Sequence, residues 1–368
     1  MYKLLRPLLW QTDAERAHDM TMALLRAAGR FPGLLAALRR RYVLHPPELA
    51  AEAFGVRFPA CVGLAAGLDK NGRAVPALAA LGFGFIEVGT VTPRPQPGHP
   101  KPRLWRLPDR RALINRMGFN NDGAAALAES LRQARRRTDV PIGVNIGKNR
   151  DTPAEEALSD YLHCLRTLYP LADYFVVNVS SFNTPGLRDL QRERSLDRLL
   201  SGITAERDRL AAAHGETKPV LVKVAPDMSP GELDAVVDVC LRRGAGGIVA
   251  TNTTVARPGL RGPEAALPGG LSGAPLFDAS TRTVAAIYRR VGGRLPVIGV
   301  GGVMSAADAY AKIKAGARLV QVLTGFVYGG PGFVRTLQEG LQQLLARDGL
   351  PGIGDAVGVE AEQIKPLV

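Results

Sequence analysis

The sequence predicts an α/β fold, a (β/α)8 TIM barrel with an N-terminal helical extension, on three observations. Eight apolar runs rich in β-branched residues recur along the chain, and segments with helical patterns separate them. Nearly every run ends in small polar residues, as expected where barrel strands end at a functional face. The 368 residues, 46% of them hydrophobic, provide ample core for such a domain. A doubly wound open sheet is the main alternative.

The first 45 residues differ from the rest of the chain and are predicted to form short helices. Leu and Ala supply an apolar face, whereas Lys and Arg supply a basic one. Such helices can lie on an anionic membrane surface, and the alternative is a helical extension that packs on the main domain. Residues 45–47 are predicted as a linker, so that the barrel domain covers 46–368. The predicted helical segments are 1–10, 14–30 and 31–42.

The eight predicted strands are spaced as alternating β and α units require. Helical patterns between them, such as 232–244 and 306–316, end in Gly, which is common at helix C-termini. Two longer gaps, 91–141 and 252–295, leave room for insertions over the barrel mouth. The strands are expected near Cys61–Leu64, Phe85–Val88, Ile142–Asn145, Phe175–Val179, Val220–Val224, Gly247–Ala250, Pro296–Val300 and Leu319–Val322.

The ends of these strands carry the residues that are able to bind a ligand or take part in a reaction. Glycines follow the seventh and eighth strands, where barrels usually bind phosphate, because backbone N–H groups there can approach its oxygens closely. A bound phosphate, from a substrate or from a cofactor, is therefore predicted. The strand ends read AAGLDKNG (65–72), GTVTP (89–93), NIGKN (145–149), NVSSFNT (178–184), KVAPD (223–227), ATNTT (250–254), GVGGV (299–303) and LTG (323–325).

Two lysines, Lys70 and Lys223, lie at different strand ends. A lysine can stabilise the negative charge that develops on a reduced flavin, or can anchor a small carboxylate. The rival chemistry is a Schiff-base lysine. Amide side chains nearby favour flavin or carboxylate binding over a Schiff base, because their paired donors and acceptors suit a uracil-like ring or an isoalloxazine. These amides are Asn115, Asn145, Asn178, Asn183 and Asn252.

The same loops contain no obvious His, Cys or carboxylate base. Ser181, between Asn178 and Asn183, is the remaining protic group. A serine hydroxyl is a poor base unaided, so it requires a proton relay or an activated substrate. Asp69 and Asp227 also lie at strand ends, where each can instead cap a helix.

Charge and cysteine content limit the partners and the compartment. The formal net charge of +13 favours an anionic partner, which can be nucleic acid, a phosphorylated ligand or a membrane surface. The three cysteines are far apart and predict neither a disulfide framework nor a metal site. No apolar run reaches about 18 residues, and no signal-peptide pattern is present, so the cytosol or the cytosolic face of a membrane is expected.

Taken together, the motifs resemble the class 2, quinone-dependent dihydroorotate dehydrogenases, from the N-terminal helices to about residue 335. The resemblance implies an FMN-containing barrel that oxidises dihydroorotate to orotate in pyrimidine biosynthesis and passes electrons to a membrane quinone with ping-pong kinetics. The motifs are AAGLDKNG, EVGTVTPRPQPG, PRLWRL, INRMGFNN, GVNIGKN, NVSSFNTPGLRDLQ, LVKVAPD, TNTT, GGLSG and GVGGV.

The resemblance also implies residue roles. Ser181 takes the place of the catalytic base, where class 1 enzymes have cysteine, and His18 and Arg106 line the quinone site. The substrate-binding positions are Lys70, Asn115, Arg116, Met117, Gly118, Phe119, Asn178, Asn183, Asn252 and Thr253. The FMN-binding positions are Ala66, Gly67, Leu68, Asp69, Lys70, Thr90, Asn145, Asn178, Lys223, Thr251, Gly273, Gly302, Leu323 and Thr324.

Three positions depart from the family pattern. Phe182 replaces a usual proline, Leu323 a common tyrosine, and His99 a commoner asparagine. The expected protein is a monomer bound peripherally to the cytoplasmic face of the cell membrane, without a nucleic-acid partner. Two alternatives are a tRNA dihydrouridine synthase, which uses a cysteine acid and lacks the N-terminal helices, and a flavin-binding protein without turnover.

Overall fold

The computed structural model describes residues 6–7 and 10–367, so that most of the predicted helix 1–10 lies outside the described residues. The strands are β1 Ala51–Ala53, β2 Val56–Phe58, β3 Val62–Leu64, β4 Phe85–Val91, β5 Leu104–Leu107, β6 Ala112–Asn115, β7 Ile142–Ile146, β8 Tyr174–Asn178, β9 Val220–Val224, β10 Gly247–Ala250, β11 Gly270–Gly273, β12 Val297–Val300 and β13 Ala317–Val322. The helices with both ends in the described residues are α1 Ala14–Ala28, α2 Pro32–Tyr42, α3 Val75–Ala80, α4 Ala124–Arg135, α5 Ala157–Leu168, α6 Glu193–His214, α7 Pro230–Arg242, α8 Phe277–Val291, α9 Ala306–Lys314, α10 Thr324–Gly329 and α11 Phe333–Asp348.

Eight parallel strands form a closed barrel. Their order around the ring is β3, β4, β7, β8, β9, β10, β12 and β13. The ring closes where β13 pairs with β3, with Val320 opposite Val62. Each barrel strand overlaps one of the predicted apolar runs. The closure confirms the predicted barrel and excludes the open sheet, which would have two free edges.

The local sequence explains these elements. Barrel strands such as β7, β8 and β9 are buried at every position, because helices cover the outer face and side chains fill the inside. At the start of α7, Ser229 and Glu232 form a capping box, and Pro230 occupies the first helical position.

A short hairpin, β1–β2, closes the amino-terminal end of the barrel. Its residue Phe58 contacts the rings of Phe85 and Tyr174, which begin β4 and β8. Phe54, at the turn, also packs on Tyr174. The apolar contacts leave the opposite end, where the carboxyl ends of the strands meet, as the open face.

A second, antiparallel sheet covers part of that open face. It consists of β5, β6 and β11, which come from the two long gaps predicted to contain insertions. Asn115, the last residue of β6, lies opposite Leu104 of β5 and Gly270 of β11. The sheet therefore brings Asn115 to the barrel mouth from outside the barrel.

The helices α1 and α2 pack on the barrel, as one of the two interpretations of residues 1–45 requires. Leu35 of α2 is buried against Ala77 and Ala80 of α3. Among the described helices, none combines the length and apolarity that crossing a bilayer requires. Four large apolar side chains of this region are nevertheless 45–71% exposed, namely Met20, Leu24, Phe31 and Leu34.

A buried ion pair fixes α1 to the mouth. The Arg103 guanidinium donates to the Glu15 carboxylate, with Nη2 2.7 Å from Oε1, and both side chains are buried. Two further Arg103 hydrogen bonds, to the carbonyls of Pro97 and His99, orient the guanidinium. Burial raises the pKa of Glu15, but Arg103 and Lys101 outweigh burial, and the pKa falls below its ordinary value of 4.5.

We expect α1 to detach from the barrel mouth at acidic pH. A carboxylate with a lowered pKa stabilises the docked state fully above pH 4.5 and progressively less as the pH falls below that value. A nitroxide at an Ala23→Cys site, on the exposed face of α1, reports this release by electron paramagnetic resonance, because Cys61, Cys164 and Cys240 are buried. The label should become mobile in acid in the wild-type background, and should already be mobile at pH 7 in Glu15→Gln.

Glu129→Gln is the matched control, because the contacts of Glu129, an ion pair with Arg132 and a hydrogen bond from Gln133, are exposed and lie within α4. It should follow the wild-type pH profile. A label that stays ordered in Glu15→Gln at neutral pH would contradict the assigned role of the Glu15–Arg103 pair.

The segment after α11, which the sequence analysis left without a function, packs against the barrel helices. Ala361 is buried, and its carbonyl accepts a hydrogen bond from Arg289 of α8 at 2.6 Å. Glu360 pairs with Lys314 of α9. These contacts describe a segment that stabilises the outside of the barrel, away from the open face.

Candidate functional site

A cavity of about 670 Å³ lies at the carboxyl ends of the barrel strands and extends beneath α1 and α2. It brings together most of the residues singled out from the sequence, although these come from widely separated segments. The predicted residues that line it are His18, Ala66, Gly67, Leu68, Lys70, Thr90, Arg106, Asn115, Met117, Gly118, Phe119, Asn178, Ser181, Asn183, Lys223, Thr251, Asn252, Thr253, Gly273, Gly302, Leu323 and Thr324.

Three predicted residues do not line the cavity. The Asp69 carboxylate accepts hydrogen bonds from the backbone N–H groups of Arg73 and Ala74, at 2.9 and 2.7 Å, and so caps the turn before α3. Arg116 lies beyond the end of β6, where its N–H bonds to the Arg103 carbonyl. Asn145 is fully buried below the cavity. Asp69 therefore has the capping role that the sequence left open.

Asn145 instead belongs to a network that joins the ends of β4, β7 and β8. The Thr90 hydroxyl donates to Asn145 Oδ1 at 2.5 Å. The Asn178 amide donates to Thr90 Oγ1 at 2.9 Å and to Asn145 Oδ1 at 3.1 Å. Because every member has a partner, the network holds Thr90 and Asn178 in fixed positions at the cavity floor.

Sequence reasoning missed two residues of this network, Glu87 and Gln321. Both are fully buried inside the barrel. The Glu87 carboxylate accepts hydrogen bonds from Asn145 Nδ2 at 2.8 Å and from Gln321 Nε2 at 2.6 Å. The available signal was a single charged residue within an apolar strand, since Glu87 interrupts the run FIEVGTV.

Glu87 also faces Lys223, whose ammonium lies 4.0 Å from Glu87 Oε1. Burial lowers the pKa of Lys223, and the negative charge of Glu87 opposes this shift. Lys223 thus presents a positive charge to the cavity with a carboxylate behind it. Such a cation can stabilise negative charge on a ligand bound above the strand ends.

The loop after β8 contains the two adjacent serines. The Ser180 hydroxyl donates to Asn178 Oδ1 at 3.0 Å and accepts from Asn252 Nδ2 at 2.9 Å. Ser181 lies on the cavity side, is 6% exposed, and accepts a hydrogen bond from the Asn183 N–H at 3.3 Å. Ser180 therefore orders the amides, while Ser181 leaves its hydroxyl proton available.

Phe182, which replaces the usual proline of this loop, is held by packing. Its ring lies 5.4 Å from the Arg188 guanidinium, and it touches Gly270, where a Cβ atom would lie only 2.8 Å from the ring. Arg188 also donates to the Ser180 carbonyl at 3.2 Å and to Asp227 at 2.9 Å. Side-chain contacts thus restrain a loop that lacks the fixed φ of proline.

Three glycines, Gly273, Gly301 and Gly302, form a glycine cradle at the other end of the cavity. Gly302 has a φ of +77°, and a Cβ atom there would lie 2.3 Å from Phe277 Cα. Gly273 has a φ of +91° at the end of β11, with Thr324 packed beside it. Only glycine fits these positions, and backbone approach of this kind is typical of phosphate sites.

Lys70 and His18 lie between the barrel mouth and α1. Lys70 Nζ donates to the Gly67 carbonyl at 2.8 Å. Burial, helped by the positive charge of Arg103, lowers the pKa of Lys70 to about 8. Burial and the charge of Lys70 together lower the pKa of His18 to about 4. At neutral pH, His18 is therefore uncharged, whereas most Lys70 side chains carry a proton.

The far end of the cavity is apolar. Met22, Leu25 and Leu38 of α1 and α2 line it, together with Leu81. Arg106 of β5 lines it as well, and its guanidinium donates to the Thr12 carbonyl just before α1. A polar chamber at the strand ends is thus continuous with an apolar passage under the N-terminal helices.

Comparison with known proteins gives one consistent result. The family model described as dihydroorotate dehydrogenase matches residues 48–345. Relatives called dihydroorotate dehydrogenase (quinone), from Anaeromyxobacter dehalogenans and Acidithiobacillus ferrooxidans, are 52% and 51% identical. The first aligns over 99% of this chain and 98% of its own length. The second aligns over 98% of this chain and 99% of its own length.

Solved structures agree with these sequence matches. The structure of ligand-free type DHODH from Eimeria tenella has a TM-score of 0.86 and 38% identity, over 95% of this chain and 99% of its own. The complex of DHODH from the same organism with ferulenol has a TM-score of 0.87 and 37% identity, over 95% of this chain and 96% of its own. The similarity therefore includes the N-terminal helices as well as the barrel.

Proposed function

The chain belongs to the dihydroorotate dehydrogenase family, and on that premise we propose how its cavity carries out the reaction. The enzyme oxidises dihydroorotate to orotate in pyrimidine biosynthesis and uses a quinone as electron acceptor. This assignment sets aside the dihydrouridine synthase and the flavin-binding protein without turnover. The observation that carries the mechanism is the single cavity that joins a polar chamber to an apolar passage.

The family depends on a flavin, and the residues of the chamber fit FMN. Lys223 and Asn178, at the ends of β9 and β8, suit the polar edge of an isoalloxazine. The glycine cradle, at the opposite end, suits a phosphate. When bound, FMN accepts the electrons of the substrate and gives them up to the quinone. The residues that would hold it are Ala66, Gly67, Leu68, Lys70, Thr90, Asn178, Lys223, Thr251, Gly273, Gly302, Leu323 and Thr324.

The pyrimidine ring of the substrate is proposed to bind between the loops after β6, β8 and β10. Asn115, Asn178, Asn183 and Asn252 line the cavity there and offer both donors and acceptors to the ring carbonyl and N–H groups. The Lys70 ammonium supplies the positive charge for the substrate carboxylate. Thr253 and the loop 117–119 complete the enclosure.

Ser181 is the proposed base, which removes the C5 proton of dihydroorotate. It is buried and lines the cavity, and the Asn183 N–H bonded to its oxygen fixes its orientation. A serine needs a route for the proton that it takes up. Thr184, three residues further on, has a buried hydroxyl without a hydrogen-bond partner among the described residues. That hydroxyl is free to accept or donate a proton in a relay.

The quinone is proposed to enter beneath α1 and α2. Apolar side chains line the passage, and the neutral His18 with Arg106 provides polar contacts for the quinone carbonyls. The exposed apolar residues of α1 and α2, with the basic residues around them, would rest on the anionic cytoplasmic face of the cell membrane. Leu323 cannot supply the hydroxyl of the common tyrosine. We propose a monomer.

Anaerobic mixing of the purified protein with dihydroorotate tests both half-reactions. We expect the visible absorbance of the flavin to bleach and then to return when a quinone is added, but not with fumarate or NAD. Dihydrouracil is the matched control substrate, because it has the ring but lacks the carboxylate assigned to Lys70. A yellow protein that dihydroorotate does not bleach would reject the proposed chemistry, and a colourless protein would reject the flavin.

A further inference from the structure

Lys312 is a fully buried lysine that the proposed mechanism does not use. It lies on α9, with 0% of its surface exposed, and its stem runs along Gly299 of β12, where a Cβ atom would lie 2.7 Å away. Its ammonium donates to Ser280 Oγ at 2.7 Å and to Thr281 Oγ1 at 2.9 Å. It also lies 5.1 Å from the centre of the Phe277 ring.

The partners of this ammonium among the described residues are all neutral. Among the described residues, no carboxylate lies within ion-pair distance of it. Burial lowers the pKa of Lys312 to about 7, and the more distant charges of Asp308 and Asp278 oppose the shift. An unpaired buried ammonium is costly, and a ligand of opposite charge nearby would compensate for that cost.

The hydrogen bonds of Lys312 lead directly to the glycine cradle. Ser280 Oγ lies 3.0 Å from the Gly301 carbonyl oxygen and 3.1 Å from that of Phe277. Because the ammonium occupies a lone pair of this oxygen, the hydroxyl proton is directed to one of these carbonyls. Lys312 thus polarises a hydroxyl that lies within hydrogen-bond distance of a cradle carbonyl, that of Gly301.

The orientation of one peptide unit follows from this contact. The Gly301–Gly302 bond is trans, so the Gly301 carbonyl and the Gly302 N–H point in opposite directions. Since the carbonyl points towards Ser280, the N–H points away from it, and among the described residues no acceptor binds this N–H, although Gly302 lines the cavity. Lys312 and Ser280 therefore aim a backbone donor into the cavity.

Among the described residues that line the cavity, none places a cationic side chain beside the cradle. Among the described residues, the basic side chains that line the cavity are those of His18, Lys70, Arg106 and Lys223. They belong to α1, the loop after β3, β5 and β9, and none comes from β11, α8, β12 or α10. The positive charge at the cradle end is therefore supplied by Lys312, which lies behind the cavity wall.

We propose that Lys312 is a positioning residue for the phosphate group of the flavin, an inference that rests on the proposed FMN site. It acts through Ser280, which holds the Gly301–Gly302 peptide with its N–H towards the phosphate, and its charge attracts the phosphate through the cradle. The pair thereby makes the protein selective for the phosphorylated flavin over riboflavin, which has the same ring without the phosphate.

The test is titration of the flavin-free full chain with FMN and with riboflavin, followed by flavin fluorescence. Lys312→Met is expected to weaken FMN binding by about tenfold or more and to leave riboflavin binding within about twofold of wild type. Lys148→Met is the matched control. Lys148 is also buried, at 2% exposure, and among the described residues its ammonium donates to the carbonyls of Asn149 and Thr152, which do not belong to the cradle. The Lys148→Met variant should retain the wild-type ratio of FMN affinity to riboflavin affinity.

Ser280→Ala is the second variant, and it removes a single oxygen if Lys312→Met fails to fold. It should also weaken FMN more than riboflavin, by a smaller factor. Equal losses for both flavins in either variant would assign Lys312 to the stability of the barrel alone and overturn the proposal. A wild-type protein that binds neither flavin would instead reject the proposed FMN function, so the two failures are distinguishable.

Discussion

Ser181→Ala is expected to slow the oxidation of dihydroorotate by about 10²–10⁴-fold, while the protein keeps its flavin. The variant removes the proposed base, and residues 179–188, which directly follow β8, contain no His, Cys or carboxylate to replace it. The structural cost is small, because Ser181 Oγ accepts one hydrogen bond, from the Asn183 N–H at 3.3 Å. The loss should therefore be chemical rather than structural.

Stopped-flow reduction of the flavin by dihydroorotate measures this loss. Reoxidation by the quinone serves as an internal control, since Ser181 takes no part in it and its rate should be unchanged. With substrate deuterated at C5, the isotope effect should increase in Ser181→Ala, because proton removal then limits the rate. Wild-type reduction rates in this variant would remove Ser181 from the mechanism.

Ser180→Ala is a matched comparison from the same loop. The Ser180 hydroxyl bonds to Asn178 and Asn252 and does not line the cavity. Its loss should loosen the amides that bind the ring and raise KM, with a smaller effect on the reduction rate at saturation. Identical defects in the two variants would indicate that both serines act through loop structure.

The barrel and the location of its site were predictable because two simple rules apply together. Buried parallel strands appear as apolar runs, and their carboxyl ends meet at one face. Ser181 and Asn178 could be assigned to that face from their positions at and just beyond the end of a single run. The same rules cannot distinguish Asp69 from its neighbours, because a carboxylate at a strand end can face the ligand or cap a helix. Only the direction of the Asp69 side chain in the folded protein shows which of these two roles it has.

The parts that escaped prediction depend on contacts distant in sequence. Glu15 and Arg103 are 88 residues apart, and neither has a local pattern that indicates a buried pair. Glu87 lies within an apolar strand, where the sequence does not reveal that Asn145 and Gln321 meet it. Phe182 departs from the family pattern, but its restraint by Arg188 follows from packing that only the fold provides.

Removing one member of the Lys223–Glu87 pair should have the largest effect on stability. The two charges are 4.0 Å apart, and their side chains are 6% and 0% exposed. In Lys223→Met, the Glu87 carboxylate keeps its bonds from Asn145 and Gln321 but loses the one cation that pairs with it among the described residues. Breaking a buried pair in this way costs about 3–5 kcal/mol. Urea unfolding of the flavin-free protein should show this loss.

The double variant, Lys223→Met with Glu87→Gln, should recover most of that stability. The pair then becomes neutral, and the new amide can be accommodated because the buried Gln321 Oε1 has no hydrogen-bond partner among the described residues. Turning the Gln321 amide would let that oxygen accept a hydrogen bond. A double-mutant cycle of the four proteins isolates this coupling.

Flavin chemistry should not recover with stability, and this separates the two roles of the lysine. Without the Lys223 ammonium, the charge that develops on reduction is less stabilised, so the midpoint potential of the bound flavin should fall by roughly 30–60 mV in the double variant. Spectroelectrochemistry of the holoenzyme measures this shift. Because Glu87→Gln removes a negative charge, it should by itself raise the potential. A double variant that regains both stability and the wild-type potential would restrict Lys223 to neutralising Glu87.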